Sequence, residues 1–295
     1  MSGGTGFPGR AQRRRVWFGL VTVLNLAKRG FFIPYRYADR LPGPGARAPY
    51  PAAEARIASA QARFRALLEG MNRYRTALDA IGQDPPPAPR WAQDWFPRLD
   101  AAAAYTLVRQ ERPGRIVEVG SGHSTRFMAR ASADEGLACR ITAIDPAPRA
   151  DLSRLEVELI RSAVPEAGDQ PFLPLEAGDF LVIDSSHILM PGSDADYLYG
   201  RVLPALPPGV LVHIHDVFLP DDYPAEWDWR GYNEQLAVIQ MVLGSGWELL
   251  FASHYVATRM ASEVAESAAG RLPLGAGAFE SSLWLRKTSP DTKSR

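Results

Sequence analysis

The segment from Arg115 to Thr125, with the sequence RIVEVGSGHST, decides the fold class. Its first half is a short apolar run that predicts a buried β-strand. Gly120 and Gly122 follow at the carboxyl end of that strand, where glycine allows a sharp turn and a close approach of the backbone to a ligand. Ser124 is a favourable residue at a helix N-terminus. The segment therefore predicts a strand, a turn that binds a ligand, and a helix.

The rest of the chain repeats this alternation of short apolar strands and helices. Further strands are predicted at 140–144, 157–161, 179–184, 210–215, 247–255 and 281–286. Such an alternation is typical of a mostly parallel sheet whose ligand cleft opens at the carboxyl ends of the strands. The predicted fold class is α/β, a Rossmann-like seven-stranded mostly parallel sheet with helices on both faces, plus an N-terminal helical extension.

A proline-rich segment at 84–89 predicts the domain boundary. It ends an Ala-rich amphipathic pattern over 52–81 that predicts one long helix. We therefore expect three parts. Residues 1–90 are a basic tail with a helical extension, residues 91–290 are the α/β domain, and residues 291–295 are a disordered tail.

Residues 1–40 differ in charge from the rest of the chain. They hold eight Arg and Lys residues and one acid, Asp39, whereas the whole chain has 33 basic and 33 acidic residues. The apolar run at 16–26 is too short for a membrane span, which needs about 20 residues. Two interpretations stay open: peripheral membrane contact through residues 10–40, or a helix that packs on the α/β domain or in a homo-oligomer.

The balance of charges over the whole chain predicts no nucleic-acid partner. The single cysteine, Cys139, excludes an intramolecular disulfide and suits a reducing compartment. We expect a cytoplasmic protein, with the inner face of the membrane as its location if residues 10–40 contact lipid.

A second acid supports the ligand site at the glycine turn. Asp145 ends the next predicted strand about 25 residues further on, where a carboxylate can accept hydrogen bonds from both ribose hydroxyls of a cofactor. The pattern Glu118-x-Gly120-x-Gly122 with Asp145 resembles the class I S-adenosylmethionine (SAM)-dependent methyltransferases. The resemblance implies SAM as the cofactor. The residues assigned to it are Glu118, Gly120, Ser121, Gly122, Ser124, Thr125, Asp145 and Asp184.

Polar side chains also follow the fourth and fifth predicted strands. Asp184 and His187 come after one strand, and His215 and Asp216 after the next. Neighbouring strands lie about 5 Å apart, so these side chains should converge. They suit either a divalent cation or a general base for a hydroxyl acceptor. The predicted catalytic residues are His215, His187 and Asp216, and His187 has the alternative of capping its loop. His213 is predicted to be a core histidine, and Glu234, at the start of a helix, could reach the cleft.

The pattern I-D-x-x-H followed by H-D resembles a methyltransferase subgroup that includes macrocin O-methyltransferase and the cephalosporin hydroxylase-like proteins. The resemblance implies Mg²⁺ or another divalent cation at Asp184, His215 and Asp216. It also implies O-methylation of a small-molecule acceptor, a sugar or natural-product hydroxyl. His215 replaces one acid of the subgroup's pair, so the use and identity of the cation stay open.

A loop rich in aromatic rings and carboxylates, residues 218–230, is predicted either to cover the acceptor or to pack on the N-terminal extension. The leading function is a SAM-dependent methyltransferase. One alternative is a nicotinamide-dependent oxidoreductase, which Ser124 disfavours because a pyrophosphate needs bare backbone at the helix start. The other is a non-catalytic SAM-binding or membrane-associated scaffold.

Overall fold

The computed structural model describes residues 10–149 and 151–289. The chain forms two compact units. The smaller consists of Met1–Ala48 and Asp222–Tyr232, and the larger of Pro49–Asp221 and Asn233–Arg295. The division between units therefore falls after residue 48, before the proline-rich segment. The predicted tail at 291–295 lies outside the described residues.

Seven strands form a single sheet in the larger unit. In chain order they are β1 (Arg115–Val119), β2 (Arg140–Ile144), β3 (Val157–Ile160), β4 (Phe180–Ile183), β5 (Leu211–Ile214), β6 (Trp247–Ala252) and β7 (Leu283–Lys287).

The strand order across the sheet is β3-β2-β1-β4-β5-β7-β6. Strands β1 to β5 pair in parallel, and β7 runs antiparallel to both of its neighbours, β5 and β6. Strands β2 and β3 are added on one side of β1, and β4 and β5 on the other. The strand order therefore reverses between β1 and β4, and a ligand cleft forms at such a switch point. The predicted seven-stranded, mostly parallel α/β fold is confirmed.

The α-helices of the described residues are α1 (Arg10–Val23), α2 (Pro51–Ala58), α3 (Gln61–Arg73), α4 (Arg75–Ala80), α5 (Arg98–Glu111), α6 (His123–Asp134), α7 (Val164–Ala167), α8 (Asp194–Tyr197), α9 (Leu203–Ala205), α10 (Gln235–Leu243), α11 (Ser253–Arg259) and α12 (Ala261–Glu266).

The single long helix predicted over 52–81 is three helices, α2, α3 and α4. Their apolar residues are buried in the same hydrophobic core as the sheet. The ring of Phe64, for example, lies 5.8 Å from that of Phe251 on β6 and 6.1 Å from that of Tyr255. This shared core explains why residues 49–90 form one compact unit with the sheet.

In the smaller unit, helix α1 ends at Val23, three residues before the end of the apolar run at 16–26. Asn25 adopts a left-handed backbone conformation (φ 55°), and the N–H groups of Leu26 and Ala27 turn back to the carbonyl of Val21. No helix in the described residues is long and apolar enough to cross a membrane.

Part of the predicted acceptor loop packs on the N-terminal extension within this smaller unit. A 3₁₀ turn covers Ala225–Arg230. Arg15 contacts Asp228 at 3.4 Å, and the Arg47 side chain donates to Asp222 at 2.7 Å. Of the two interpretations of residues 218–230, packing on the extension therefore holds for residues 222–230.

Candidate active site

The turn after β1 requires glycine at one position and leaves space at another. Gly120 has a positive φ of 89°, and a Cβ there would lie 2.2 Å from the backbone oxygen of Asp184. A Cβ at Gly122 would meet no protein atom within 4 Å. The turn is therefore packed tightly against the end of β4 at Gly120 and borders open space at Gly122.

Glu118 supports this turn from inside the protein. Its side chain is fully buried, and the hydroxyls of Ser124 and Thr125 donate to its two carboxylate oxygens. Burial raises the pKa of Glu118 to about 8, an effect that the two hydroxyls oppose and the charges of Asp184 and Asp145 increase. The structure thus gives Glu118, Ser124 and Thr125 a role in holding the turn.

Asp145 lies beside the turn at the end of the neighbouring strand, β2. The hydroxyl of Ser121 donates to one of its carboxylate oxygens at 2.7 Å, and the N–H of Ala147 donates to the other at 2.8 Å. The side chain is only partly buried. Asp145 is thus held in a fixed orientation next to the glycine turn, where the sequence predicted a ribose-binding acid.

The structure brings together the four polar residues predicted at the ends of β4 and β5. Nε2 of His187 lies 3.3 Å from Asp184 Oδ1 and 3.4 Å from Asp216 Oδ2. Nδ1 of His215 lies 3.4 Å from Asp184 Oδ1 and 3.5 Å from Asp216 Oδ1. Asp184 is the accessible member, with 36% of its side chain exposed, and the other three are buried. We call these four residues the histidine–aspartate cluster.

Two further acids lie next to the outer nitrogens of the imidazoles. Nδ1 of His187 lies 2.8 Å from Glu234 Oε2, and Nε2 of His215 lies 3.4 Å from Asp100 Oδ2. Both acids are buried. The sequence had identified Glu234 as able to reach the cleft. It had missed Asp100, which lies on α5, before the first strand.

Asp100 is fixed by its own hydrogen bonds. Its carboxylate accepts from the backbone N–H groups of Ser281 and Ser282 at 2.9–3.1 Å. The hydroxyl of Ser281 also donates to Asp216 at 3.2 Å. The segment that leads into β7 therefore links the two aspartates that flank His215.

The carboxylates determine the protonation of the two imidazoles. Burial by itself lowers the pKa of His187 and of His215, but Asp216 and the other nearby carboxylates raise the pKa of each well above its ordinary value of 6.5. Burial likewise raises the pKa of Asp184, but the imidazoles, His215 first, bring it well below its ordinary value. At neutral pH both imidazoles are therefore protonated and positively charged, whereas an unperturbed histidine is mostly neutral at that pH.

His213 is a core histidine, as predicted. It is fully buried, and its Nε2 lies 2.7 Å from the Ser282 hydroxyl. Burial lowers its pKa to about 3, so the ring is neutral. It therefore packs beneath the histidine–aspartate cluster without adding charge.

The side chains do not form a metal site as they are placed. Among residues 10–149 and 151–289, no group of three or more His, Cys, Asp or Glu side chains is arranged to hold a metal ion. Asp184, His215 and Asp216, the predicted ligands, are neighbours whose charges are balanced by protons on the imidazoles. The cation prediction therefore finds no support in the geometry.

Residues 117–217 match a family model described as "Methyltransferase domain". This segment runs from the middle of β1 to just beyond β5, so it contains the glycine turn, Asp145 and the histidine–aspartate cluster. This part of the chain is therefore similar to a methyltransferase domain, which agrees with the methyltransferase function predicted from the sequence. A search of curated proteins finds no match to the chain.

Several solved structures are distantly similar to the chain. An O-methyltransferase from Bacillus cereus in complex with S-adenosylhomocysteine (SAH) is 15% identical, with coverage of 76% of this chain and 91% of that one and a TM-score of 0.40. TomG from Streptomyces achromogenes, an O-methyltransferase involved in tomaymycin synthesis and crystallised with SAM, is 15% identical, with coverage of 76% and 90% and a TM-score of 0.41. MycE from the mycinamycin biosynthetic pathway, in complex with Mg, SAH and mycinamycin VI, is 16% identical, with coverage of 64% and 49% and a TM-score of 0.36.

Proposed function

We propose that the chain transfers the methyl group of SAM to a hydroxyl of a small-molecule acceptor, a sugar or another natural product. The observation that carries this proposal is the contact between the two halves of the site. The turn that borders open space at Gly122 packs through Gly120 on the backbone of Asp184, the accessible member of the histidine–aspartate cluster. A cofactor at the turn and a hydroxyl at the cluster would thus be neighbours.

On the cofactor side, Asp145 would accept hydrogen bonds from the ribose hydroxyls, and Ser121 keeps its carboxylate oriented. Gly122 would allow the cofactor to approach the backbone. When bound, SAM supplies a methyl group that is electrophilic because it is attached to a sulfonium. Glu118 acts at a distance, through the hydroxyls of Ser124 and Thr125.

On the acceptor side, Asp184 would accept the hydrogen bond of the hydroxyl because its side chain is the one that solvent reaches. As the hydroxyl oxygen accepts the methyl group, its proton would pass through Asp184 to an imidazole in contact with that carboxylate, His215 or His187. Since the carboxylates raise the pKa of both imidazoles, the base must first lose its resident proton. The proposal therefore implies a reaction that is favoured at alkaline pH.

Glu234 and Asp100 are positioning residues in this scheme. Each lies against the outer nitrogen of one imidazole, so the inner nitrogen faces Asp184 and Asp216. Asp216 also holds the pair of imidazoles at its two carboxylate oxygens. Neither outer acid contacts the acceptor in this scheme. Loss of either acid should still change the protonation and orientation of the histidine beside it.

Cation binding by Asp184, His215 and Asp216 stays a prediction from sequence, and no step of this scheme uses it. Titration of the full chain with Mg²⁺ and with Mn²⁺, monitored by calorimetry, tests it. Saturable binding that is lost in the Asp184→Asn, Asp216→Asn double variant would support a cation site, and identical heats for the two proteins would exclude these ligands.

The transfer itself is tested with methyl-labelled SAM and a panel of hydroxyl-bearing sugars and glycosylated natural products. We expect label in a base-stable ether product with the wild type, and a large loss with His215→Ala and with Asp216→Ala. If both variants keep wild-type turnover, the assigned reaction site is wrong. If the label enters an amine or carbon product, the O-methylation part is wrong while the cofactor site stands.

A further inference from the structure

The smaller unit carries a concentration of exposed apolar side chains. Of the 18 large apolar residues that are exposed in the described parts of the chain, twelve lie between residues 16 and 41. Trp17, Leu26 and Phe32 have more than 60% of their surface exposed. A solvated loop does not need such a set of residues, and exposed apolar patches of this kind mark interaction surfaces. We call residues 13–41 the N-terminal patch.

The N-terminal patch has a defined backbone structure. Helix α1 ends in a turn in which the N–H of Leu24 donates to the carbonyl of Leu20. The Thr22 hydroxyl then accepts from the N–H of Arg29 at 3.0 Å. These bonds hold Val23, Leu24 and Leu26 together at the tip of the helix, and all three are exposed. The apolar tip is therefore part of the fold of this unit.

Basic side chains flank the apolar ones throughout the patch. Seven lie between residues 13 and 40, with Asp39 as the one acid of that stretch. The guanidinium of Arg14 lies 4.9 Å from the ring of Phe18, and the ammonium of Lys28 lies 5.5 Å from that of Phe31. Rings that insert at a lipid headgroup layer, next to cations that contact anionic headgroups, are typical of interfacial anchors.

The dimensions of α1 favour a position in the membrane surface over one across the bilayer. The helix has 14 residues and is about 21 Å long, whereas the hydrocarbon core is about 30 Å thick. In α1 the basic residues come first and the apolar residues follow, so the helix can lie in the plane of the interface with its apolar end below the headgroups.

We propose that the N-terminal patch binds the surface of a membrane that contains anionic lipid. The charge of the chain favours this partner over a second copy. Residues 41–295 hold 25 basic and 32 acidic residues, so an anionic surface attracts the patch and repels the rest. A symmetric contact between two patches would bring seven cations of one chain against seven of the other. This inference is independent of the methyl transfer proposed above.

Flotation of the full chain with liposomes tests the proposal. Vesicles of phosphatidylcholine alone are compared with vesicles that contain phosphatidylglycerol, at low and at high salt. We expect at least tenfold stronger partition into the anionic vesicles, and a loss of that difference at high salt because screening weakens the headgroup contacts. Equal partition into both vesicle types, or none into either, would overturn the proposal.

Two sets of variants separate the contributions of charge and apolar surface. Arg13→Gln, Arg14→Gln and Lys28→Gln together should lower partition into anionic vesicles at least tenfold. Trp17→Ser, Phe32→Ser and Ile33→Ser together should also lower partition into anionic vesicles at least tenfold, even at low salt. The matched controls remove exposed residues elsewhere and should bind as the wild type does. They are Arg154→Gln with Arg161→Gln and Arg271→Gln, and Leu173→Ser with Leu236→Ser and Leu274→Ser.

Thermal unfolding by circular dichroism identifies any variant that does not fold, and light scattering after gel filtration measures self-association. If the apolar variants abolish a concentration-dependent dimer while liposome binding is absent, the partner is a second copy and the proposal is wrong. If wild type and variants are equally monomeric and only partition changes, the membrane assignment is supported.

Discussion

Nδ1 of His187 lies 2.8 Å from the carboxylate of Glu234, and both side chains are buried. The backbone reinforces this contact, because the N–H of Glu234 also donates to the carbonyl of His187 at 3.3 Å. His187 itself has a positive φ of 58°, which a non-glycine residue adopts only where its surroundings enforce it. Glu234 therefore fixes both the position and the protonation of a cluster imidazole.

Glu234→Gln should lower turnover roughly ten- to a hundredfold and leave the affinity for SAH unchanged. The neutral amide removes one of the charges that raise the pKa of His187, so the alkaline rise in activity should also begin at a lower pH. Initial rates from pH 6 to pH 10 measure both effects. Glu266→Gln, an exposed acid at the end of α12, is the control. A rate loss with an unshifted profile would contradict the assigned role.

Two glycines of one turn should respond differently to alanine. In Gly120→Ala the new Cβ would collide with the backbone of Asp184, and alanine would have to adopt the positive φ of Gly120. We therefore expect a loss of about 1–3 kcal/mol in the free energy of unfolding. In Gly122→Ala the Cβ enters open space, so stability should be kept while SAH affinity falls at least roughly tenfold. Urea unfolding and calorimetry measure the two quantities. Normal SAH binding by Gly122→Ala would show that the cofactor does not bind at this side of the turn.

Glu118 should make stability depend on pH. Its pKa is about 8 in the folded protein against an ordinary value of 4.5, so its contribution to the free energy of unfolding is fully present below pH 4.5 and is lost as the pH rises towards 8. The loss is about 1.4 kcal/mol per pH unit in that window. Relative to the wild type, Glu118→Gln should therefore gain stability from pH 5 to pH 8. Urea unfolding at four pH values checks this, and parallel curves for the two proteins would mean that Glu118 ionises normally.

His213 should be a structural residue. His213→Ala removes a buried ring and its bond to Ser282, so we expect a loss of about 2–4 kcal/mol in the free energy of unfolding. His213→Asn keeps a hydrogen-bonding group and should recover part of that loss. The alkaline activity profile should be the same in both variants, since the ring is neutral throughout. A shifted profile in His213→Asn would indicate that this ring belongs to the reacting group.

The sequence predicts those parts of the fold that depend on local pattern. Apolar runs bounded by turn residues locate β1, β2 and β5 to within a residue or two, because a buried parallel strand needs a continuous apolar segment. Strand β6 was predicted to continue to Tyr255 but ends at Ala252, since the apolar residues that follow belong to α11. An apolar run by itself does not distinguish a buried strand from a buried helix.

The site divides in the same way. Asp184, His187, His215 and Asp216 were found because they follow strands that pair, and the pairing of β4 with β5 brings them together. Asp100 could not be found, because its approach to His215 depends on the packing of α5 on the sheet. The raised pKa values of the imidazoles could not be predicted either, since each arises from three carboxylates on separate parts of the chain.

The central claim is that the turn after β1 and Asp145 bind an adenosyl amino acid. Calorimetric titration of the full chain, first with SAH and then with NAD, tests it most directly. Asp145→Asn is the variant, and Glu158→Gln, which changes an exposed acid on β3, is the control. We predict saturable SAH binding by the wild type and by Glu158→Gln, affinity at least roughly tenfold weaker for Asp145→Asn, and no heat with NAD. Binding of NAD, or SAH binding that is unaffected by Asp145→Asn, would contradict the account.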